Sequence, residues 1–65
     1  MTITYDPQTD TMTLELTHDP VTESNEINPG VILDYNKAGH LVGLEILEAS
    51  KRIPDCRSIT FHVTE

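Results

Sequence analysis

The chain has little on which to stack a base: no tryptophan, one phenylalanine and two tyrosines among 65 residues. The aromatic platform that single-stranded nucleic acid requires is missing. Positive charge is also scarce. Four Lys and Arg stand against 11 Asp and Glu, a formal net charge of −7, which repels phosphate backbones and anionic membrane surfaces. Cys56 is the one cysteine, so no disulfide can form within the chain. Gly30, Gly39 and Gly43 are too far apart to cradle a phosphate, and there is no P-loop or dinucleotide fingerprint. No apolar run approaches the roughly 18 residues of a membrane span, and no signal peptide heads the sequence. With a lone thiol, these absences set the expectation of a reducing cytoplasm.

Sixty-five residues make a single small domain, residues 1–65. A chain of this size buries only about 60% of its unfolded surface, so its stability is marginal without a supplement. Disulfides are excluded, which leaves oligomerisation, a dimer in the simplest case. The acidic balance serves solubility and also suits a small basic protein partner.

What is present is β-forming sequence, organised around Ile27 to Ser50. Val31 to Tyr35 and Leu41 to Leu47 flank the polar tip Asn36-Lys37-Ala38-Gly39-His40, which reads as a hairpin with glycine at a position of positive φ. With Lys37-Ala38-Gly39 as the loop, Tyr35 lies opposite Leu41, Asp34 opposite Val42, Leu33 opposite Gly43, Ile32 opposite Leu44 and Val31 opposite Glu45. One face then carries Ile32, Asp34, Val42, Leu44 and Ile46, and the other Val31, Leu33, Tyr35, Leu41, Glu45 and Leu47. Both are largely apolar, so the hairpin is expected to be covered twice, once by a second copy or a partner. Val31, Leu33, Tyr35, Leu41 and Leu47 are the expected interface.

Thr2 to Tyr5 and Thr11 to Leu16 alternate polar and apolar residues around the turn Asp6-Pro7-Gln8-Thr9-Asp10, which predicts a first hairpin with Ile3, Tyr5, Met12, Leu14 and Leu16 on one side. Val21 to Ile27 reads as a charged edge strand. Asn28-Pro29-Gly30 reads as a turn. The strand order through Leu47 is expected to be sequential. Residues 48–53 contain helix formers, and Pro54 ends them. Ser58 to Thr64 alternates again, with Ile59, Phe61 and Val63 on one side, and predicts a last strand. The expected fold is mainly β: an antiparallel meander of five to six strands with one short helix near residues 48–53.

Ile3-x-Tyr5-Asp6 with Asp10, then Pro29-Gly30-Val31-Ile32-Leu33-Asp34-Tyr35, Gly39, and Leu41-Val42-Gly43-Leu44-Glu45-Ile46-Leu47-x-Ala49-Ser50 resemble the small bacterial and archaeal family known as domain of unknown function 2283. The resemblance covers roughly residues 2–53. Thr11-Met12-Thr13-Leu14 replaces the family's more usual alanine-leucine-tyrosine-isoleucine, and Pro54 to Glu65 is an additional tail. The resemblance implies a small, mostly β protein with no established activity, often encoded beside small toxin-like proteins. It brings no catalytic residue with it.

The remaining candidates come from side-chain chemistry. Asp34 and Glu45 interrupt apolar strands, and paired carboxylates do acid/base work when they share a pocket. The register above puts them on opposite faces, which favours turn support for Asp34 and a rim position for Glu45. Asp6 and Asp10 bracket a turn and read as turn caps, since two carboxylates without an EF-hand glycine make a poor calcium loop. His18, His40 and His62 lack the short paired spacing of zinc ligands. Cys56, beside Arg57 and near Arg52, reads as a partly buried free thiol. Lys51, Arg52 and Arg57 form a small basic cluster, read as a solvated helix end. No cofactor or metal is expected. The leading functional reading is a non-catalytic protein-interaction module, antitoxin-like in its sharpest form, homo-oligomeric and able to bind a small basic protein. The alternatives are a purely structural homo-oligomer, or a small enzyme or metal-binding module using Asp34, Glu45 or the histidines.

Overall fold

In the computed structural model, which describes residues 1–65, five antiparallel strands form one sheet. They are β1 (Thr2–Asp6), β2 (Thr11–Glu15), β3 (Glu23–Asn28), β4 (Val31–Tyr35) and β5 (Leu41–Ile46), followed by a four-residue helix, α1 (Ala49–Arg52). The mainly β class and the single short helix agree with the sequence pattern. The order across the sheet does not: it is β1-β2-β5-β4-β3, so β5 pairs with β2 and the acidic β3 lies at the far edge. A sequential order would leave β3 between two neighbours. Its six residues are all exposed, and its two glutamates suit an edge, where charge discourages pairing with other chains. The predicted last strand is also absent, since residues 58–65 form no regular element and pair with nothing.

The β4–β5 tip forms as its chemistry dictates. Gly39 has a φ of 83° and its amide donates to the Asn36 carbonyl at 3.0 Å, while the Asn36 amide donates to the His40 carbonyl at 3.0 Å. Asn36 Oδ1 also accepts from the Ala38 and His40 amides. Tyr35 stands opposite Leu41, as the loop length requires. One residue later the register slips. Asp34 lies opposite Gly43, Leu33 opposite Leu44, Ile32 opposite Glu45 and Val31 opposite Ile46, leaving Val42 as the extra residue of a β-bulge. The bulged carbonyl of Val42 accepts from the amides of both Leu16 and Thr17, at 2.8 and 3.2 Å.

That slip corrects both expected faces. Leu44 and Ile46 join Val31 and Leu33, whereas Glu45 joins Ile32 and Asp34. The hairpin is therefore predominantly apolar on one side only and does not need two covers. Across the whole sheet, the apolar face carries a row Tyr5-Met12-Ile46-Val31 and a second row Ile3-Leu14-Leu44-Leu33. The opposite face carries Thr4, Thr13, Glu45, Ile32 and Glu26, then Glu15, Gly43, Asp34 and Ser24.

The helix and the residues after it cover the first apolar row. Met12, Ala49 and Cys56 are buried together, with Tyr5, Leu14, Ile46 and Ile53 packed around them. A four-residue helix is not stable by itself, and it is held from the β1–β2 turn. Asp10, at a φ of 53°, gives its carbonyl to the Ala49 amide at 2.8 Å. Its carboxylate accepts from the Ser50 amide at 2.9 Å, the Ser50 hydroxyl at 2.6 Å and the Tyr5 hydroxyl at 2.8 Å. Asp10 thus caps the helix N-terminus from forty residues away, while Asp6 does the simpler turn-capping work on the Gln8 amide. At the other end, the Arg52 guanidinium donates to the carbonyls of Leu47 and Pro29, tying the helix to the β3–β4 turn.

Two predictions follow from this architecture. A Cβ on Gly43 would lie 2.7 Å from the Leu14 carbonyl oxygen on the neighbouring strand, so Gly43→Ala is expected to destabilise the fold by about 2 kcal/mol in urea unfolding. The hydrogen bonds from Ser50 and then Tyr5 hold the Asp10 carboxyl below its usual range. Its contribution is thus complete above the ordinary aspartate pKa and is lost as pH falls through the depressed value. Asp10→Ala should lower the melting temperature at neutral pH by roughly 5 °C or more, and should flatten the acid limb of the melting profile.

Candidate functional site

The bulge brings the two strand-interrupting carboxylates onto one face. Glu45 pairs with Ile32, two residues from Asp34 on the adjacent strand. Diagonal neighbours of this kind sit about 7 Å apart, within reach of long side chains. Burial raises the Glu45 carboxyl above its ordinary value, and a hydrogen bond with Asp34 and the charge of Asp34 push it the same way. The expected separation of these residues is thus corrected: both lie on the polar face, on adjacent strands.

Asp34 is the better buried of the two, at 7% exposure. It accepts a 2.7 Å hydrogen bond from the Ser24 hydroxyl on β3, and its other oxygen lies over the bare backbone of Gly43. No buried side-chain nitrogen or oxygen lacks a partner. Asp34 also reaches the floor of a shallow hollow of about 260 Å³ lined by Thr13, Leu14, Val42 and Gly43, with Thr17 and His18 among its other residues. Glu45 does not line that hollow. A ligand there would meet one carboxylate of the two.

The other candidates are scattered. His18 makes an exposed 2.9 Å contact from Nδ1 to Glu15 at the rim of the hollow. His40 sits at the β4–β5 tip and His62 in the tail, both exposed. Nowhere do three His, Cys, Asp or Glu side chains come together as metal ligands. Cys56 is buried at 8% exposure, and its thiol contacts the Ile53 carbonyl at 3.8 Å. Burial pushes this thiol's pKa up, and the charges of Asp10 and Asp55 push it further than Arg57 can lower it. It is therefore a poor nucleophile. The basic cluster is engaged within the chain: Lys51 pairs with Glu48 at 2.9 Å, Arg52 holds backbone carbonyls, and Arg57 lies 5.9 Å over the Tyr5 ring.

Of the expected interface, Val31 and Leu33 share the apolar face with Leu44 and Ile46, and Tyr35 pairs with Leu41 at the tip. Leu47 lies past the end of β5, its amide donating to the Gly30 carbonyl at 2.8 Å. Sequence reasoning missed the row Ile3-Leu14-Leu44-Leu33 and the Asp34–Glu45 contact for the same reason. The signal was there, in a glycine isolated inside a strand pattern, which marks bulges.

A raised carboxyl pKa stabilises the fold fully below the ordinary glutamate value, and that contribution is lost as pH rises through the raised one. Glu45→Gln keeps a donor toward Asp34 but cannot ionise. It is expected to raise the melting temperature at neutral pH by a few degrees and to abolish the decline above roughly pH 4.5, as read from thermal melts between pH 4 and 8.

The family model described as "Protein of unknown function (DUF2283)" matches residues 2–50. No curated protein and no solved structure matches the chain.

Proposed function

The chain belongs to the DUF2283 family, and from this premise we propose that it is a non-catalytic protein-interaction module, working through the two unlike faces of its sheet. The carrying observation is the row Ile3-Leu14-Leu44-Leu33, which crosses four strands and of which only Leu14 packs against the core beneath the helix. Ile3 is exposed and the other three residues are half-buried. The accessible surface is 5033 Å² for a chain of 7.3 kDa. That is about 870 Å² more than a folded monomer of this mass exposes, comparable to the roughly 800 Å² that each partner contributes to a standard interface. Self-association through the apolar face is the reading this supports.

The opposite face carries Glu15, Glu26, Asp34 and Glu45, and neither ion pair in the structure brings a lysine or arginine to it. In the dimer this acidic surface would remain turned outward, available to a small basic protein, as in an antitoxin-like role. No helix is long and apolar enough to cross a membrane. A buried, unreactive lone thiol fits a protein working in the cytoplasm.

One observation favours a second reading. The convergence of Asp34 and Glu45 is what a small acid/base enzyme would need. Only Asp34 faces the hollow, however, with one of its oxygens already accepting from Ser24, and Glu45 does not line it. The interaction reading therefore leads.

Light scattering separates the two. The chain is expected to run as a dimer, and Leu33→Ser on the apolar face should weaken the dimer at least tenfold while the circular dichroism of the sheet persists. A chain that stays monomeric at every concentration would remove the self-association reading. The dimer mixed with the product of the adjacent gene should give a complex that dissociates as salt rises.

A further inference from the structure

The tail after the helix is the part of the chain that the fold uses least. Ile59, Phe61 and Val63 are 57%, 80% and 69% exposed, and they alternate with Thr60, His62 and Thr64. Such a pattern belongs to a strand with one buried side. Yet no backbone hydrogen bond outside the regular elements involves any residue after Ile53.

The geometry gives the reason. Cys56 anchors the tail in the core beside Met12, at the Tyr5 end of β1. Ile59 then lies with Ile3, Tyr5, Cys56 and Arg57 around an open hollow of about 350 Å³ on the apolar side of β1. No residue from Ser58 to Glu65 belongs to a strand, and Phe61 and Val63 stay largely exposed. The chain does not cover its own last apolar residues.

We propose that the tails of two copies pair antiparallel across a twofold axis, each placing Phe61 in the hollow that the other copy's Ile3, Tyr5 and Ile59 line. A register centred on Thr60 sets Ile59 of each tail opposite Phe61 of the other. The contact is then the same in both directions and closes on itself. The partner is a second copy of this chain for three reasons. The hollow and the residue that fills it are both supplied by every molecule. The surplus surface is about that of one side of a standard interface. Charge permits the approach as well. From Cys56 to Thr64 the only charged side chain is Arg57, apart from His62 when protonated, and β1 carries an acid only at Asp6. The other free edge, β3, carries Glu23 and Glu26, which would repel their counterparts in a second copy.

This inference rests on the interaction reading above only in taking the chain to self-associate, and the two can fail separately. Native mass spectrometry and light scattering would be run on the full chain, on Phe61→Ser, on a chain ending at Arg57 and on Leu33→Ser, each checked by circular dichroism. The expected result is a dimer that Phe61→Ser weakens at least tenfold and the truncation abolishes, with the sheet spectrum unchanged. In a mixture of ¹⁵N-labelled and ¹³C-labelled chains, filtered nuclear Overhauser contacts from the Phe61 ring should reach Ile59 and Ile3 of the other copy. A truncated chain that dimerises as well as the full one overturns the tail pairing while leaving the apolar-face reading intact if Leu33→Ser still weakens it. Phe61 contacts found only within one chain overturn the tail pairing too. Loss of the dimer in Phe61→Ser but not in Leu33→Ser upholds the tail and removes the apolar row from the interface.

Discussion

One extra residue decides which side of this sheet is which. Without the bulge at Val42, Glu45 would lie among Val31 and Leu33, and Leu44 and Ile46 would face the other way with Asp34. Inserting one residue shifts every side chain beyond it to the opposite face. The slip sets Leu44 and Ile46 beside Val31 and Leu33 and in line with the apolar residues of β1 and β2, and puts Asp34 and Glu45 on the other side. The bulge is held from two directions: the Val42 carbonyl accepts two amides from the chain leaving β2, and Gly43 lets the β2 backbone come closer than any side chain would allow. The one-sided apolar face, the cover provided by the helix and the Asp34–Glu45 contact all depend on it.

The second constraint is the scarcity of material. Six of 65 residues are buried, too few for the core to hold the helix by apolar contact alone. Asp10 supplies what is lacking through four hydrogen bonds made by one residue in a turn. Arg52 does similar work from the other end of the helix, toward the β3–β4 turn. In so small a protein, charged groups that a sequence reading assigns to a local turn or to solvent become the fasteners between elements.

Much of the fold was legible in the sequence because it is local. Alternation marked the first hairpin, Asn36 to His40 marked the second tip, Asn28-Pro29-Gly30 marked its turn, and Pro54 marked the end of the helix. What was not legible is long-range. Alternation says that a strand has two faces but not which strand it will pair with, so the insertion of β5 beside β2 could not be read. The site was misread through a single residue: counting back from the loop carries the register correctly to Tyr35 and Leu41, and Val42 then breaks it. Residues 58–64 carry a valid strand pattern that finds no partner within the chain. Alternation reports what a segment is suited to, not whether its own molecule provides the neighbour.

The strand order also bears on how quickly this chain can become itself. The β1–β2 and β3–β4–β5 ladders join residues close in sequence, and hairpins of that kind form in roughly 1–10 μs. The β2–β5 ladder joins Met12 to Ile46 and is the one distant pairing in the sheet. Closing it means bringing together two units that are already shaped, across a loop whose entropy must first be overcome. It is a seam between halves. On the ribosome the amino-terminal hairpin would wait, with its apolar side open, until Ile46 had emerged, and the Asp10 cap could not form before Ser50. The docking of two ready-made halves, rather than the making of either, would then set the pace of folding.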